Sequence, residues 1–306
     1  MNRTLCLTAT AALLVLSARP AYAWDEFGHR VIARIAWQEM TPQARARAIQ
    51  VLQGASADMR LAQGFSGPLS PQRQIELFLN GSTWPDDVRP PDSRGARFHV
   101  RDRHFVNLFW RQNSDFGPVV PLSVAPKGDL LNHLPRLLND SLRSSNRARA
   151  ARALAWVLHL VGDIHQPLHN SARVTPLDRL PDGDRGGNSF RLQGSLDNLH
   201  SFWDNVVDRN TFRPGEPEPA RVERVAAELA THFPRGGFSG ELAVTDFRTW
   251  SDAGVRLAQT NAYADPLARN SFVPQSYERQ AFDAAKPRMA LAGYRLADIL
   301  NRAFPT

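Results

Sequence analysis

Cysteine is all but missing. The 306 residues hold one, Cys6, near the start of the chain. A disulfide framework and a thiolate metal site are both excluded, so core burial or metal held by other ligands must stabilise the fold. Cys6 lies at the start of the apolar run instead of after it, which excludes a lipid-anchored cysteine. Lysine is nearly as scarce, since only Lys127 and Lys286 contribute to the 37 basic residues. A GC-rich genome produces such an arginine bias, although arginine also suits phosphate better than lysine does, and a basic surface attracts polyanions. Beyond the first segment no run is long enough to span a bilayer. No Pro/Ser linker, charge block or internal repeat divides the chain.

Residues 1–23 combine a basic start (Arg3), an apolar run from Leu5 to Leu16 and the small-x-small end Ala21-Tyr22-Ala23. This is the layout of a secretory signal, with an apolar run too short to span a bilayer. Cleavage between Ala23 and Trp24 is expected, leaving a single domain of residues 24–306 that is secreted or periplasmic. Without Arg3 and Arg19 the chain has 35 basic and 30 acidic residues, a net charge of +5. A bulky tryptophan is a poor choice for an exposed new terminus, so Trp24 calls for a role.

Helical pattern dominates the mature part. Phe27, Val31, Ile32, Ile35 and Ala36 form a helical stripe, and Thr41-Pro42 is a cap and first-turn proline opening a helix to about Gln53. Further helices are predicted over 71–80, 128–140, 146–166, 198–208, 218–232, 244–262 and 275–303. Residues 176–187 read as a loop, and Asn188 to Leu196 as a short hairpin, the only β-structure expected. The fold class is mostly α, a single multi-helix domain.

The chemistry lies in histidines and aspartates. In LHLVGDIHQPLH (158–169), His159 and Asp163 are four apart and share a helical face among apolar neighbours, where an unpaired aspartate is costly. Pro167 ends or kinks that helix and redirects His169. His200 and Asp204 in NLHSFWDNVV repeat the spacing. Singly, each pair is an ordinary helix hydrogen bond. Two copies plus His169, in a chain without disulfides, point to metal. Asp86 sits in a Trp-Pro-Asp turn, and His104 opens an extended run, HFVN. His99, His133, His165 and His232 fit no such pattern and are read as ordinary histidines.

Together, Trp24-x-x-x-Gly28-His29, Trp84-x-Asp86, His104-Phe105, His159-x-x-x-Asp163-x-x-Gln166-Pro167-x-His169 and Asn198-Leu199-His200-x-x-Trp203-Asp204 resemble the zinc-dependent, single-strand-specific nucleases of the S-one/P-one (S1/P1) type. The order matches from Trp24 to Asp204, and Gly293-Tyr294-Arg295-Leu296-Ala297 resembles that family's last helix. The resemblance implies three zinc ions between helices and the mature N-terminus. Trp24 is to chelate one through its α-amine and carbonyl, with His29 and Asp163. Asp86, His104, His159 and a bridging Asp163 are to hold the second, and His169, His200 and Asp204 the third. The α-amine ordinarily titrates near pH 8, so zinc can displace its proton near neutrality.

Such a centre implies phosphate-ester hydrolysis by a metal-held hydroxide attacking phosphorus in line. The resemblance casts Arg89, beside Asp86, as the group neutralising transition-state charge. Phe105 matches a base-stacking aromatic, with burial in the core as its alternative; Asn188 matches a Gly-Gly-Asn that contacts substrate or shapes the pocket. Asn107 stands where the fungal pattern has aspartate, so base preference or pH profile is expected to differ. The expected substrates are single-stranded RNA and DNA, cut to 5′-phosphates, and 3′-nucleotides. Alternatives are a zinc phospholipase C, which typically ends in His-x-x-x-Glu where this chain has Asp204, and a non-catalytic exported zinc protein, which needs neither Arg89 nor an open site. No aromatic lipid-docking segment or lipid-binding domain stands out, so a monomer without stable membrane association is expected.

Overall fold

A computed structural model describes residues 24–93 and 95–305. The expected leader, residues 1–23, lies outside them. Ten α-helices occur among the described residues: α1 (Glu26–Glu39), α2 (Pro42–Leu52), α3 (Pro71–Asp87), α4 (Leu130–Arg136), α5 (Arg147–Asp163), α6 (Leu199–Thr211), α7 (Glu218–His232), α8 (Ser239–Ala243), α9 (Phe247–Leu257) and α10 (Gln275–Ala303). Polar caps start the site-bearing ones. The Asp25 carboxylate accepts the Gly28 amide, Ser70 caps α3, Asn146 caps α5 and Asn198 caps α6, each satisfying an amide that the helix leaves unpaired.

α5 is the hub. Every residue from Ala153 to Asp163 is buried, so this helix is enclosed on all sides rather than amphipathic. It packs on α3, and α1 packs on α3, α7 and α10. The α1–α10 crossing is close because α10 presents Gly293 there: a methyl group at that position would lie 2.6 Å from Ile35 Cβ. The main apolar core runs from Trp24 to Phe304, and a small second cluster of Phe109, Ala172 and Val174 lies at the sheet.

The expected β-structure is misplaced. Asn188–Leu196 contains no strand, only a bridge between Arg191 and Asn198 and another between Gln193 and Phe272. The sheet is formed instead by β1 (Leu108–Arg111), β2 (Val120–Pro121) and β3 (Ser171–Val174), in the order β2-β1-β3. β2 runs antiparallel to β1, with Val120 opposite Arg111. β3 runs parallel, pairing Leu108 with Ser171 and Arg111 with Val174. These strands are too short for a period-two signal, and β1 and β3 meet across more than fifty intervening residues.

α3 also runs further than predicted, to Asp87, and carries Pro85 inside it. Gly81 permits the continuation, since a built Cβ would already touch Leu158 at 3.0 Å. Asp86 therefore sits in the last turn of a helix, not in a loop. Residues 137–141 and 258–262 are π-helical turns that extend α4 and α9.

Candidate metal centre

Four segments converge on the lower end of α5. His159 and Asp163 lie one turn apart on α5, and His169 follows on a short 3₁₀ turn opened by Pro167. His200 and Asp204 project from α6, Asp86 from α3 and His29 from α1. His104 follows another 3₁₀ turn just ahead of β1. All eight side chains are buried.

Hydrogen bonds settle which ring nitrogens face inward. The Nδ1–H of His169 donates to the His104 carbonyl at 2.8 Å, and that of His200 to the Gly186 carbonyl at 2.6 Å. Carbonyl oxygens only accept, so both rings carry their proton on Nδ1 and a lone pair on Nε2. Those two Nε2 atoms nevertheless sit 3.0 Å apart. Two neutral imidazoles aiming lone pairs at each other need a cation between them, and tethering the far nitrogen is how proteins orient metal-binding histidines. His159 repeats the arrangement. Its Nδ1–H donates to the Ser82 carbonyl at 2.8 Å, and its Nε2 faces His104 Nδ1 at 3.0 Å. Ser82 lies in the turn of α3 loosened by Pro85, which has no amide to give Gly81.

Asp163 stands in the middle. Its Oδ1 lies 3.3 Å from His29 Nε2, and its Oδ2 lies 3.2 Å from His104 Nδ1 and 3.4 Å from His159 Nε2. Asp86 Oδ1 lies 3.8 Å from both His104 Nδ1 and His159 Nε2. The ring of His29 stacks on that of His159 with centroids 3.9 Å apart, and Gly162 makes room for it. A methyl group on Gly162 would sit 2.8 Å from His29 Nδ1. Beside α6, Gln166 donates to Asp204 Oδ1 at 2.6 Å, leaving Oδ2 to face His200 Nε2 at 3.7 Å.

Among the described residues, three groups have ligand atoms within 4.8 Å of one another: His169, His200 and Asp204; His104, His159 and Asp163; His29, Asp86 and His159. The first is the set expected. The other two divide the expected ligands differently, pairing His29 with Asp86 and His159. Trp24 is buried, and the next amide, Asp25 N–H, donates to the Asp204 carbonyl at 3.0 Å, bringing this end of the chain against α6.

The electrostatics call for positive charge. Burial raises the carboxyl groups of Asp163 and Asp204 well above the usual range, with Asp86 adding to the effect at Asp163. Burial likewise lowers His29, His104 and His169 well below the usual imidazole value, and His200 to about 4. Both trends suppress charge, and a bound cation reverses the penalty on the carboxylates while using the neutral imidazoles as they stand. The donor set, imidazole and carboxylate without thiolate, suits zinc.

A cleft of about 680 Å³ opens over His104, His169 and His200. Its walls include Arg89, Phe105, Asn107 and Asn188, so the residues expected to meet substrate are brought together. Arg89 Nη2 is 3.2 Å from Asp86 Oδ1. Phe105 is only partly buried, on the cleft wall. Asn107 exchanges main-chain hydrogen bonds with Lys127, and the Asn188 side chain donates to the Arg185 carbonyl at 2.8 Å. Sequence reasoning missed the remaining basic wall, Arg101, Lys127 and Arg185, and also His99, whose ring lies 5.4 Å from that of His104. None of these carries a periodic or motif signal. His165 is an ordinary core histidine, as read: Nδ1 bonds the Val161 carbonyl and Nε2 accepts from Arg295.

The chain resembles known nucleases along nearly its whole length. The sequence is 25% identical over 296 residues to Nuclease P1 of Penicillium citrinum, covering 91% of this chain and 97% of that protein. It is 27% identical over 324 residues to Nuclease S1 of Aspergillus oryzae, covering 96% of each, and 26% identical over 306 residues to Endonuclease 4 of Arabidopsis thaliana, covering 96% and 94%. The family pattern described as S1/P1 Nuclease matches residues 24–305, and the chain belongs to that nuclease family.

Proposed function

We propose that the protein is an exported, zinc-dependent phosphodiesterase that cleaves single-stranded RNA and DNA to 5′-phosphorylated products and also dephosphorylates 3′-nucleotides. The observation that carries this is the facing pair of His169 and His200 lone pairs, 3.0 Å apart at the floor of a cleft walled by Arg89. Three zinc ions held by His29, Asp86, His104, His159, Asp163, His169, His200 and Asp204, with the α-amine and carbonyl of a cleaved Trp24, would supply Lewis-acid charge and an activated water.

The chain's own groups do the rest. Gln166 fixes the orientation of Asp204, and the carbonyls of Ser82, Gly186 and residue 104 fix the tautomers of three histidines. Arg89 offers a planar fork to the phosphoryl oxygens from the cleft wall. Phe105 offers an aromatic face on which a base can stack, an interaction worth about 1–3 kcal/mol per base. A base must leave a duplex to reach it, which favours single strands. The test incubates zinc-loaded protein beginning at Trp24 with single-stranded RNA, single-stranded DNA, duplex DNA, a 3′-mononucleotide and phosphatidylcholine. Cleavage of the single strands to 5′-phosphates is expected. Hydrolysis of phosphatidylcholine alone would replace this reading with a phospholipase.

A further inference from the structure

Nine large apolar side chains stand exposed among the described residues. Six fall in two stretches: Phe116, Val119, Val120 and Val124 in one, Leu177 and Leu180 in the other. The sheet brings Phe116, Val119 and Val120 to the end where Leu177 and Leu180 stand, while Val124 lies further along toward Asn107. β1 and β3 are parallel and end side by side at Arg111 and Val174, so the loops that follow them leave the same end of the sheet. Residues 117–126, GPVVPLSVAP, contain no charge and three prolines. Prolines on the open edge at β2 impair the addition of a partner strand, so another protein's β-strand is a poor occupant.

Between the loops lies a groove of about 350 Å³, lined by Arg111, Asn113, Val174, Pro176, Arg179 and Leu180 among others. Its cations are available. The nearby carboxylates are committed elsewhere: Asp115 to Arg173 at 3.3 Å, Asp182 to Lys127 at 2.5 Å, and Asp178 to Arg269. Arg111 makes no side-chain hydrogen bond or ion pair among the described residues, and Arg179 donates only to the Pro176 carbonyl, at 3.2 Å.

We infer that this end of the sheet docks the protein on an anionic phospholipid bilayer, with Arg111 and Arg179 taking a headgroup phosphate in the groove while the flanking apolar tips enter the acyl boundary. Guanidinium forks suit a phosphate monoanion, and apolar side chains beside cations form the interfacial pattern that anionic lipids attract. Single-stranded nucleic acid is the weaker occupant. Bases stack on aromatic faces, and four of the five exposed side chains at this end are aliphatic. β1 starts at Leu108, next to Asn107 on the cleft wall, and reaches the groove about 10 Å away, so a docked molecule holds its cleft close to the lipid surface. The absence of an aromatic docking segment leads to the expectation of no stable membrane association; the surface proposed here is largely aliphatic and assembled from two distant loops.

The test is co-sedimentation of the mature protein with vesicles of phosphatidylcholine alone and of phosphatidylcholine mixed with phosphatidylglycerol. Binding to the mixed vesicles only is expected. The double variant Arg111→Ala/Arg179→Ala should lose roughly thirtyfold in apparent affinity, and Leu177→Ser/Leu180→Ser roughly tenfold or more. These side chains are exposed, and circular dichroism checks that both variants stay folded. Millimolar inorganic phosphate should compete weakly against the vesicles. Equal binding by wild type and both variants would overturn the inference, as would no binding by the wild type. So would a pattern in which the arginine variant loses affinity for an oligothymidylate while vesicles are never bound, because the groove would then be a nucleic-acid track. Cleavage of a short single-stranded oligonucleotide in solution should be unaltered in both variants, which separates this surface from the catalytic reading.

Discussion

Replacing Gly162 by alanine sets two effects of opposite sign against each other. Gly162 lies inside α5, and alanine is the better helix former by about 1 kcal/mol, so in an isolated helix the substitution stabilises. In this fold the added methyl would sit 2.8 Å from Nδ1 and 2.9 Å from Cε1 of the buried His29 ring. That is roughly 0.6 Å inside ordinary contact, and His29, fully buried and stacked on His159, has little room to move. Overpacking of this kind costs about 1–3 kcal/mol, which cancels or outweighs the propensity gain. The sharper consequence falls on the metal centre. Any shift of His29 breaks its 3.3 Å approach to Asp163, and disturbing the support of a ligand typically lowers metal affinity by about 10–100-fold. Gly162→Ala is therefore expected to reduce zinc retained per chain against a buffered zinc chelator, and single-strand cleavage with it. The melting temperature of the metal-free protein should fall or stay level. A variant that melts higher and retains full zinc would refute the packing argument outright.

Asp163→Asn should lose more zinc than Asp204→Asn, because the two oxygens of Asp163 face different histidines; equal losses by mass spectrometry would rule out bridging. Arg89→Lys keeps the charge but loses the planar fork, so kcat should fall by about a hundredfold with little change in KM; unchanged turnover would make Arg89 a structural partner of Asp86. A form in which methionine precedes Trp24 and is retained should be nearly inactive although helical, since an amide nitrogen is a poor zinc ligand; equal zinc content and cleavage in the two forms, with the extra residue confirmed by intact mass, would exclude a terminal chelate. His133 is lowered to about 4, first by burial and next by Arg103, and it is not a metal ligand. Its folded value lies below the unfolded one, so its neutral form favours the fold above pH 6.5, and that support is lost as pH falls toward 4. Between pH 6.5 and 5 the loss is about 1–2 kcal/mol. Metal-free His133→Gln should consequently lose less stability on acidification than the wild type, and parallel melting curves for the two from pH 7 to 5 would contradict it.

The centre was legible where helix geometry writes it. His159 with Asp163 and His200 with Asp204 announce themselves because a four-residue spacing stacks side chains on one helical face. Asp86 was found for its neighbours but set in the wrong local structure, since Thr83-Trp84-Pro85-Asp86-Asp87-Val88-Arg89 reads as a turn until Leu158 packs against Gly81 and α3 continues to Asp87. β1 and β3 were illegible because four-residue strands carry almost no period and their pairing is non-local. His99, Arg101, Lys127 and Arg185 reach the cleft from separate loops, and no spacing along the chain relates them. Gln166 was named by its motif, yet its task of holding Asp204 is visible only once α5 and α6 lie side by side.

The ligands enter the chain at widely scattered points, from His29 on α1 to Asp204 on α6. A centre assembled this way closes loops of many tens of residues, and closures of that length come late in folding because their entropy must be met before the contacts reward it. If these residues hold zinc as proposed, metal capture becomes a proofreading step. A chain whose helices have docked wrongly, or whose far segments have not yet arrived, presents at most a pair of ligands and holds no ion tightly. Loading would then certify that α1, α3, α5 and α6 stand in their final places. Residues 24–306 contain no cysteine to oxidise, so an ion bound as proposed would take over the sealing step that disulfides perform in other folds.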